Sequence, residues 1–110
     1  MAKPLDLLNN AEPISGITIP GVRGWATTKA NGSFGLGGDE AVGLVMNRWA
    51  ALQGELASIG AARLASAVQV HGNAVSTHRA GWTGWLRQRE VDGHVTDVRG
   101  TALAVTVADC

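Results

Sequence analysis

The chain has 110 residues, and its nine basic and nine acidic side chains give a formal net charge of zero at neutral pH. A balanced charge gives no reason to expect electrostatic capture of nucleic acid or of a membrane surface. The 45% share of hydrophobic residues is ordinary for a globular protein and excludes a disordered chain. We therefore expect one small domain over residues 1–110.

The cellular compartment is predicted from what the chain lacks. Residues 1–16 contain no long apolar run, so we expect no secretory signal. The single cysteine, Cys110, cannot form an internal disulfide, and a lone thiol is typical of a reducing compartment or of a residue kept for its chemistry. The longest apolar run, residues 102–108, is too short to span a bilayer. We expect a soluble, cytoplasmic protein.

The first half of the chain predicts one helix. The three prolines in residues 1–20 disfavour long helices there, residues 22–28 suit a short strand, and residues 31–38 form a glycine-rich loop. Asp39 is a suitable N-cap and Gly60 a suitable C-terminal stop for the helix that follows. Its apolar side chains recur at intervals of three and four residues and form one stripe: Val42, Val45, Trp49, Leu52 and Leu56.

The second half predicts strands. Residues 64–71 read as a strand, and the turn after it suggests that residues 74–77 pair back as a hairpin. Residues 78–90, which carry Trp82 and Trp85 among glycines and charges, are expected to be irregular. Residues 91–96 suit another short strand.

The last predicted strand, residues 101–108, is almost continuously apolar. Such a strand should be buried on both faces. Left at a sheet edge, it would be an aggregation hazard. We therefore expect that either further chain after Cys110 or a tightly bound partner covers it.

Two residues stand out for their chemistry. Cys110 follows the last apolar strand, and sites in sheet-based folds commonly lie beyond the carboxyl ends of strands. His71 ends another predicted strand, so the two side chains could meet if these strands are neighbours. A thiolate and a neutral imidazole are good zinc ligands, but they also suit a nucleophile and its base. Taken singly, a buried structural cysteine and a surface histidine are the commoner outcomes.

Other candidates are weaker. His78 and His94 have no compelling ligand spacing, and His94 could simply lie on the surface. The glycine loop before Asp39 matches no phosphate-binding fingerprint, and we interpret it as structural. Trp82 and Trp85 are interpreted as packing residues.

Several short motifs are weak evidence singly, but their order along the chain makes them more specific. Gln69-Val70-His71-Gly72 precedes Asp92-Gly93-His94-Val95-Thr96, which precedes the apolar strand ending in Ala108-Asp109-Cys110. Before them come Ala26-Thr27-Thr28-Lys29 and Asn47-Arg48. From about residue 23 to residue 110, this series resembles the laccase-domain family, which includes polyphenol oxidases and purine nucleoside phosphorylases. Lys29 stands where the family has arginine, which keeps the charge but loses the bidentate fork.

The resemblance implies a function and a fold. It implies a zinc-dependent enzyme that cleaves adenosine, inosine or guanosine with phosphate, and that also deaminates adenosine. It implies an α+β fold with a mixed sheet packed by helices, here the incomplete N-terminal part of a larger α/β sandwich domain. The expected ligands of the protein are a purine nucleoside and phosphate, without nucleic acid or membrane.

The resemblance also implies a metal site. His71 and Cys110 match two family ligands, whereas the third, a downstream histidine, has no counterpart in this chain. Residues 78–85 are similar to the family's later histidine-containing element but precede Cys110 and carry an inserted arginine, so we interpret them as a coincidence. Two alternatives remain open: a copper-dependent polyphenol oxidase, as an older family label has it, and an inert fragment without a third ligand. Three histidines are too few for a multicopper site.

Overall fold

The structure is a computed structural model that describes residues 6–107, and the chain divides into two compact units, residues 1–55 and 56–110. The predicted α+β class is confirmed, with one α-helix and several short strands in the described residues. The strands form three small sheets. Within residues 6–107, no helix has the length and hydrophobicity needed to cross a membrane.

The first unit begins with a minimal antiparallel sheet. Strand β1 (Glu12–Pro13) pairs with β2 (Trp25–Ala26), so the strand predicted over residues 22–28 is only two residues long. A 3-10 helix, Lys29–Asn31, follows. It is closed by the buried side chain of Asn31, whose Oδ1 accepts a 2.8 Å hydrogen bond from the Thr28 backbone N–H.

Helix α1 (Val42–Ser58) begins three residues after the predicted N-cap Asp39. The backbone N–H groups of Leu44 and Val45 donate to the Ala41 carbonyl, so the first turn forms around Ala41 instead. Within the predicted stripe Val45, Trp49 and Leu56 are buried, whereas Val42 is exposed. The predicted stop is confirmed, because Gly60 has a φ of +102° and donates to the Ala57 carbonyl.

The loop before the helix is held by two side chains of the helix. The indole of Trp49 donates a 2.9 Å hydrogen bond to the Phe34 carbonyl, and the two rings meet edge to face at 5.1 Å. The Arg48 guanidinium donates to the Ser33 carbonyl and to both carboxylate oxygens of Glu40. These contacts give the glycine-rich segment a packed, structural role.

The second unit is built on parallel strands. Strand β3 (Arg63–Ala67) lies between β5 (Gly84–Gln88) and β7 (Thr101–Leu103), and it is parallel to both. Strands β4 (Val75–His78) and β6 (Gly93–Thr96) form a second parallel pair. The central strand supplies the core of this unit, since Leu64, Ala65 and Ser66 are all buried.

Two sequence predictions fail here. The hairpin was wrong, because β4 pairs with β6 and makes no pairing with β3. Residues 78–90 are not irregular throughout, because β5 lies within them and forms the longest parallel pairing, with β3. The Trp85 indole donates a 2.7 Å hydrogen bond to the hydroxyl of Ser66, which fixes this unexpected strand to its neighbour.

The final apolar strand is also different from the prediction. Its regular part is only Thr101–Leu103, and Ala108 lies outside the described residues. It is not buried on both faces: Leu103 and Val105 are exposed, and Val107 is 84% exposed. The strand has one neighbour, β3, so the sheet ends at β7 in the described residues.

The position of Leu64 gives a test of this core. Leu64 is 1% exposed, whereas Leu86 on the adjacent strand β5 is 38% exposed. Leu64→Ala should lower the free energy of unfolding by about 2–5 kcal/mol because it leaves a cavity in the central strand. Leu86→Ala should cost about 1 kcal/mol or less. Equal losses in urea unfolding would contradict the placement of β3 at the centre.

Candidate functional site

The candidate site is the loop that follows the central strand, residues 68–74. The loop is held at its start by Val68, whose backbone N–H donates a 2.8 Å hydrogen bond to the Gln88 carbonyl at the end of β5. After Val68 the chain leaves the sheet and carries the Gln-Val-His-Gly motif. The loop therefore begins at the carboxyl end of a buried parallel strand, where sites commonly form.

Gln69 joins this loop to the chain that follows β7. Its side-chain amide donates to the Thr106 carbonyl at 2.8 Å, and its amide oxygen accepts from the Thr106 backbone N–H at 2.7 Å. The Thr106 hydroxyl lies 3.0 Å from the same oxygen. The glutamine side chain thus replaces a backbone partner and extends the β3–β7 pairing beyond the end of regular structure.

Asp92 holds the middle of the loop. One oxygen of its carboxylate accepts from the backbone N–H groups of Val70 and His71, both at 2.9 Å, and the other accepts from Gly72 at 2.8 Å. Three successive N–H groups that converge on one anion form a backbone nest. The bond from Gly72, followed by those from His71 and Val70, holds the pKa of Asp92 below its ordinary value against the opposing effect of burial.

The nest sets the conformation of His71. This residue has a φ of +59°, in the left-handed region that L-residues other than glycine, asparagine and aspartate seldom occupy. Its side chain is exposed, and its ring makes no hydrogen bond to the described residues. A strained backbone held by a neighbouring carboxylate, together with a free imidazole, is an arrangement that suits a ligand-binding residue.

The structure brings together parts of the sequence-predicted site. The strands that precede His71 and Cys110, β3 and β7, are adjacent, as their meeting would require. His71 itself lies in the loop, four positions after the last residue of β3. Cys110 lies outside the described residues, so its place beside His71 stays a prediction. Among residues 6–107, no group of three or more histidine, cysteine, aspartate or glutamate side chains is arranged to hold a metal ion.

The supporting residues were missed by sequence reasoning. Gln69 and Asp92 were noted as parts of motifs, but no role followed from their spacing. His78 and His94, which had no compelling spacing, are in direct contact, with 2.8 Å between Nε2 of His78 and Nδ1 of His94. This contact depends on the β4–β6 pairing, for which the sequence carried no recognised signal.

Arg48 and Lys29 lie in the first unit. They line a cleft of about 330 Å³ together with Leu7, Asn10, Ala30, Asn31 and Gly32. The ion pair with Glu40, at 2.8 Å, raises the pKa of Arg48 and lowers that of the glutamate. The Asn-Arg motif therefore has a structural use in this protein.

Comparison with known proteins gives one match. The family described as multi-copper polyphenol oxidoreductase laccase matches residues 21–110. No curated protein and no solved structure matches the chain. The matched range includes the loop, Asp92 and the end of β7, which are the parts that the hydrogen bonds of Gln69 and Asp92 connect.

The nest predicts how the loop responds to loss of the carboxylate charge. Asp92→Asn places an amide N–H₂ where an acceptor is needed, so at least one of the three backbone N–H groups loses its partner. Amide hydrogen exchange at His71 and Gly72 should accelerate, while exchange in β3 stays unchanged. The exposed Asp97, which follows β6, provides the control Asp97→Asn. Unchanged exchange in the Asp92 variant would show that the nest does not hold the loop.

Proposed function

The chain belongs to the multi-copper polyphenol oxidoreductase laccase family, and on that premise we propose that it is a zinc-dependent purine nucleoside phosphorylase that also deaminates adenosine. His71 and Cys110 are the proposed protein ligands of the zinc. The observation that carries the proposal is the loop itself, in which Asp92 and Gln69 fix the backbone and leave the His71 side chain exposed. The proposed substrates are a purine nucleoside and inorganic phosphate.

The residues present fit a zinc ion better than the redox metal of the family's name. Zinc accepts imidazole nitrogen and thiolate sulfur, and a catalytic zinc site commonly has three protein ligands and one open position. Because the backbone at His71 is already fixed, metal binding loses little conformational entropy there. Multicopper centres are built mainly from histidine imidazoles, whereas the proposed site combines one imidazole with one thiolate.

The roles of the chain's own groups follow from their positions. His71 binds through a ring nitrogen as a neutral imidazole, and Asp92 keeps the loop in the conformation that directs the ring outward. Cys110 binds as a thiolate, which requires loss of its proton. When bound, zinc supplies Lewis-acid chemistry, lowering the pKa of a water molecule or polarising the substrate.

The two proposed reactions share one binding site. In deamination, water attacks the purine carbon that carries the amino group, and ammonia leaves. In phosphorolysis, phosphate attacks the anomeric carbon of the ribose, and the purine base leaves. The loop that carries His71 is exposed, so a substrate can reach it from solvent.

Two variants test the ligand assignment. His71→Ala and Cys110→Ala should each abolish stoichiometric zinc binding and phosphate-dependent release of free base from adenosine and inosine, because each removes one of the metal's strongest ligands. The measurements are metal content by mass spectrometry and base release by chromatography, on the same preparations.

The control is Asn73→Ala, a change in the same exposed loop at a side chain without a proposed role. It should retain zinc and turnover. Full retention of zinc and activity in the His71 and Cys110 variants would contradict the assignment. Bound copper together with oxygen uptake on a phenol would instead support the copper-dependent oxidase.

A further inference from the structure

A contact between two histidines bridges the β4–β6 pair and has no part in the proposed function. His78 is the last residue of β4 and is 4% exposed, and His94 is the second residue of β6. Nε2 of His78 and Nδ1 of His94 are 2.8 Å apart, and the ring centroids are separated by 4.9 Å. The Thr96 hydroxyl donates a further 2.8 Å hydrogen bond to the His78 carbonyl.

The 2.8 Å distance between Nε2 of His78 and Nδ1 of His94 limits how many protons these two facing nitrogens can carry. A hydrogen bond between two imidazoles needs one N–H and one lone pair on the facing nitrogens. The pair satisfies this when both rings are neutral and when one ring is charged. With both rings charged, two N–H groups face each other at 2.8 Å, and two positive charges repel in a half-buried site.

We propose that His78 and His94 form an acid-sensitive latch, which holds β4 against β6 while at most one of the two rings is charged and releases it when both are. The latch does not depend on the proposed zinc chemistry, because it is a property of the metal-free chain.

Residues 6–107 offer no counter-charge that would stabilise the doubly charged pair. No carboxylate among residues 6–107 forms an ion pair with either ring. Residues 101–107, which include β7, contain no ionisable side chain, and Arg79 and Asp97 beside the two strands are exposed. Trp82 contributes only its ring, 6.1 Å from that of His78.

His94 is the ring that resists the second proton. Its Nε2 is buried and has no hydrogen-bond partner among the described residues. Burial, followed by the charge of His78, lowers the pKa of His94, and the Ala104 backbone offsets this only in part. Because the pKa is lower in the folded state than in the unfolded state, the folded state loses stability as the pH falls below the ordinary histidine value of 6.5.

Separation of β4 from β6 affects the candidate site because both strands are connected to the loop that carries His71. Strand β4 starts after the His71 loop, and β6 starts directly after Asp92, with Val75 paired to Gly93. The Asp92 backbone N–H donates to the Ala74 carbonyl at 3.0 Å, next to the nest. The histidine contact crosses the same strand pair, with His94 two residues after Asp92, so separation of β4 from β6 loosens the support of the loop.

Imidazole NMR of the metal-free chain tests the latch directly, because the chain has only three histidines. Between pH 8 and about pH 4, the His94 signals should report protonation below the ordinary histidine value of 6.5. Amide exchange in β4 should rise as His94 takes up its proton, and the folding equilibrium constant should fall by up to about tenfold per pH unit for each extra proton taken up on unfolding.

Variants separate the latch from general acid sensitivity. His78→Gln and His94→Gln keep a polar side chain without a titrating ring, so each should reduce the acid-induced loss of stability. The matched control His71→Gln removes an exposed histidine outside the pair and should leave that loss unchanged. Protonation of His94 at or above its ordinary value, or an unchanged acid dependence in both glutamine variants, would overturn the proposal. If neither glutamine variant folds, the wild-type titration decides alone.

Discussion

The loop after β3 and the β4–β6 pair depend on one carboxylate. Asp92 accepts hydrogen bonds from three successive backbone N–H groups and holds His71 in a left-handed conformation that the residue would otherwise avoid. Its own N–H donates to Ala74, so the same residue also starts the β4–β6 pairing. Asp92 therefore supports both the loop and the β4–β6 pairing. Neither conformation is expected to persist when the Asp92 hydrogen bonds are lost.

The parallel topology explains why the family motifs are far apart in sequence. Parallel strands cannot be joined by tight turns, so residues that meet at one sheet edge come from separate segments. Gln69 and Thr106 are 37 positions apart, yet they share three close polar contacts, and Asp92 lies 20 to 22 positions from the amides that it accepts. The order of Gln69, Asp92 and Thr106 in the sequence is thus the order in which the chain returns to this edge.

Sequence reasoning found local features and missed the long-range ones. The helix stripe and the stop at Gly60 follow from periodicity and from glycine's freedom at positive φ, and the structure has both. The hairpin prediction failed because a Gly-Asn turn reports only a change of direction, while β4 pairs with a strand 18 positions later. Strand β5 was missed because its charged and glycine residues conceal the pattern, and its pairing depends on the Trp85–Ser66 contact. The resemblance predicted His71 and Cys110 as metal ligands, which stays a prediction, whereas the roles of Gln69 and Asp92 follow from hydrogen bonds between segments far apart in sequence.

We propose that the fixed loop presents His71 to a metal ion shared with Cys110. X-ray absorption at the metal edge of the purified protein tests this proposal. We expect zinc with one sulfur neighbour at about 2.3 Å and nitrogen at about 2.0–2.1 Å. The sulfur shell should disappear in Cys110→Ala. A zinc environment of nitrogen and oxygen alone in the wild-type protein, or copper in place of zinc, would contradict it.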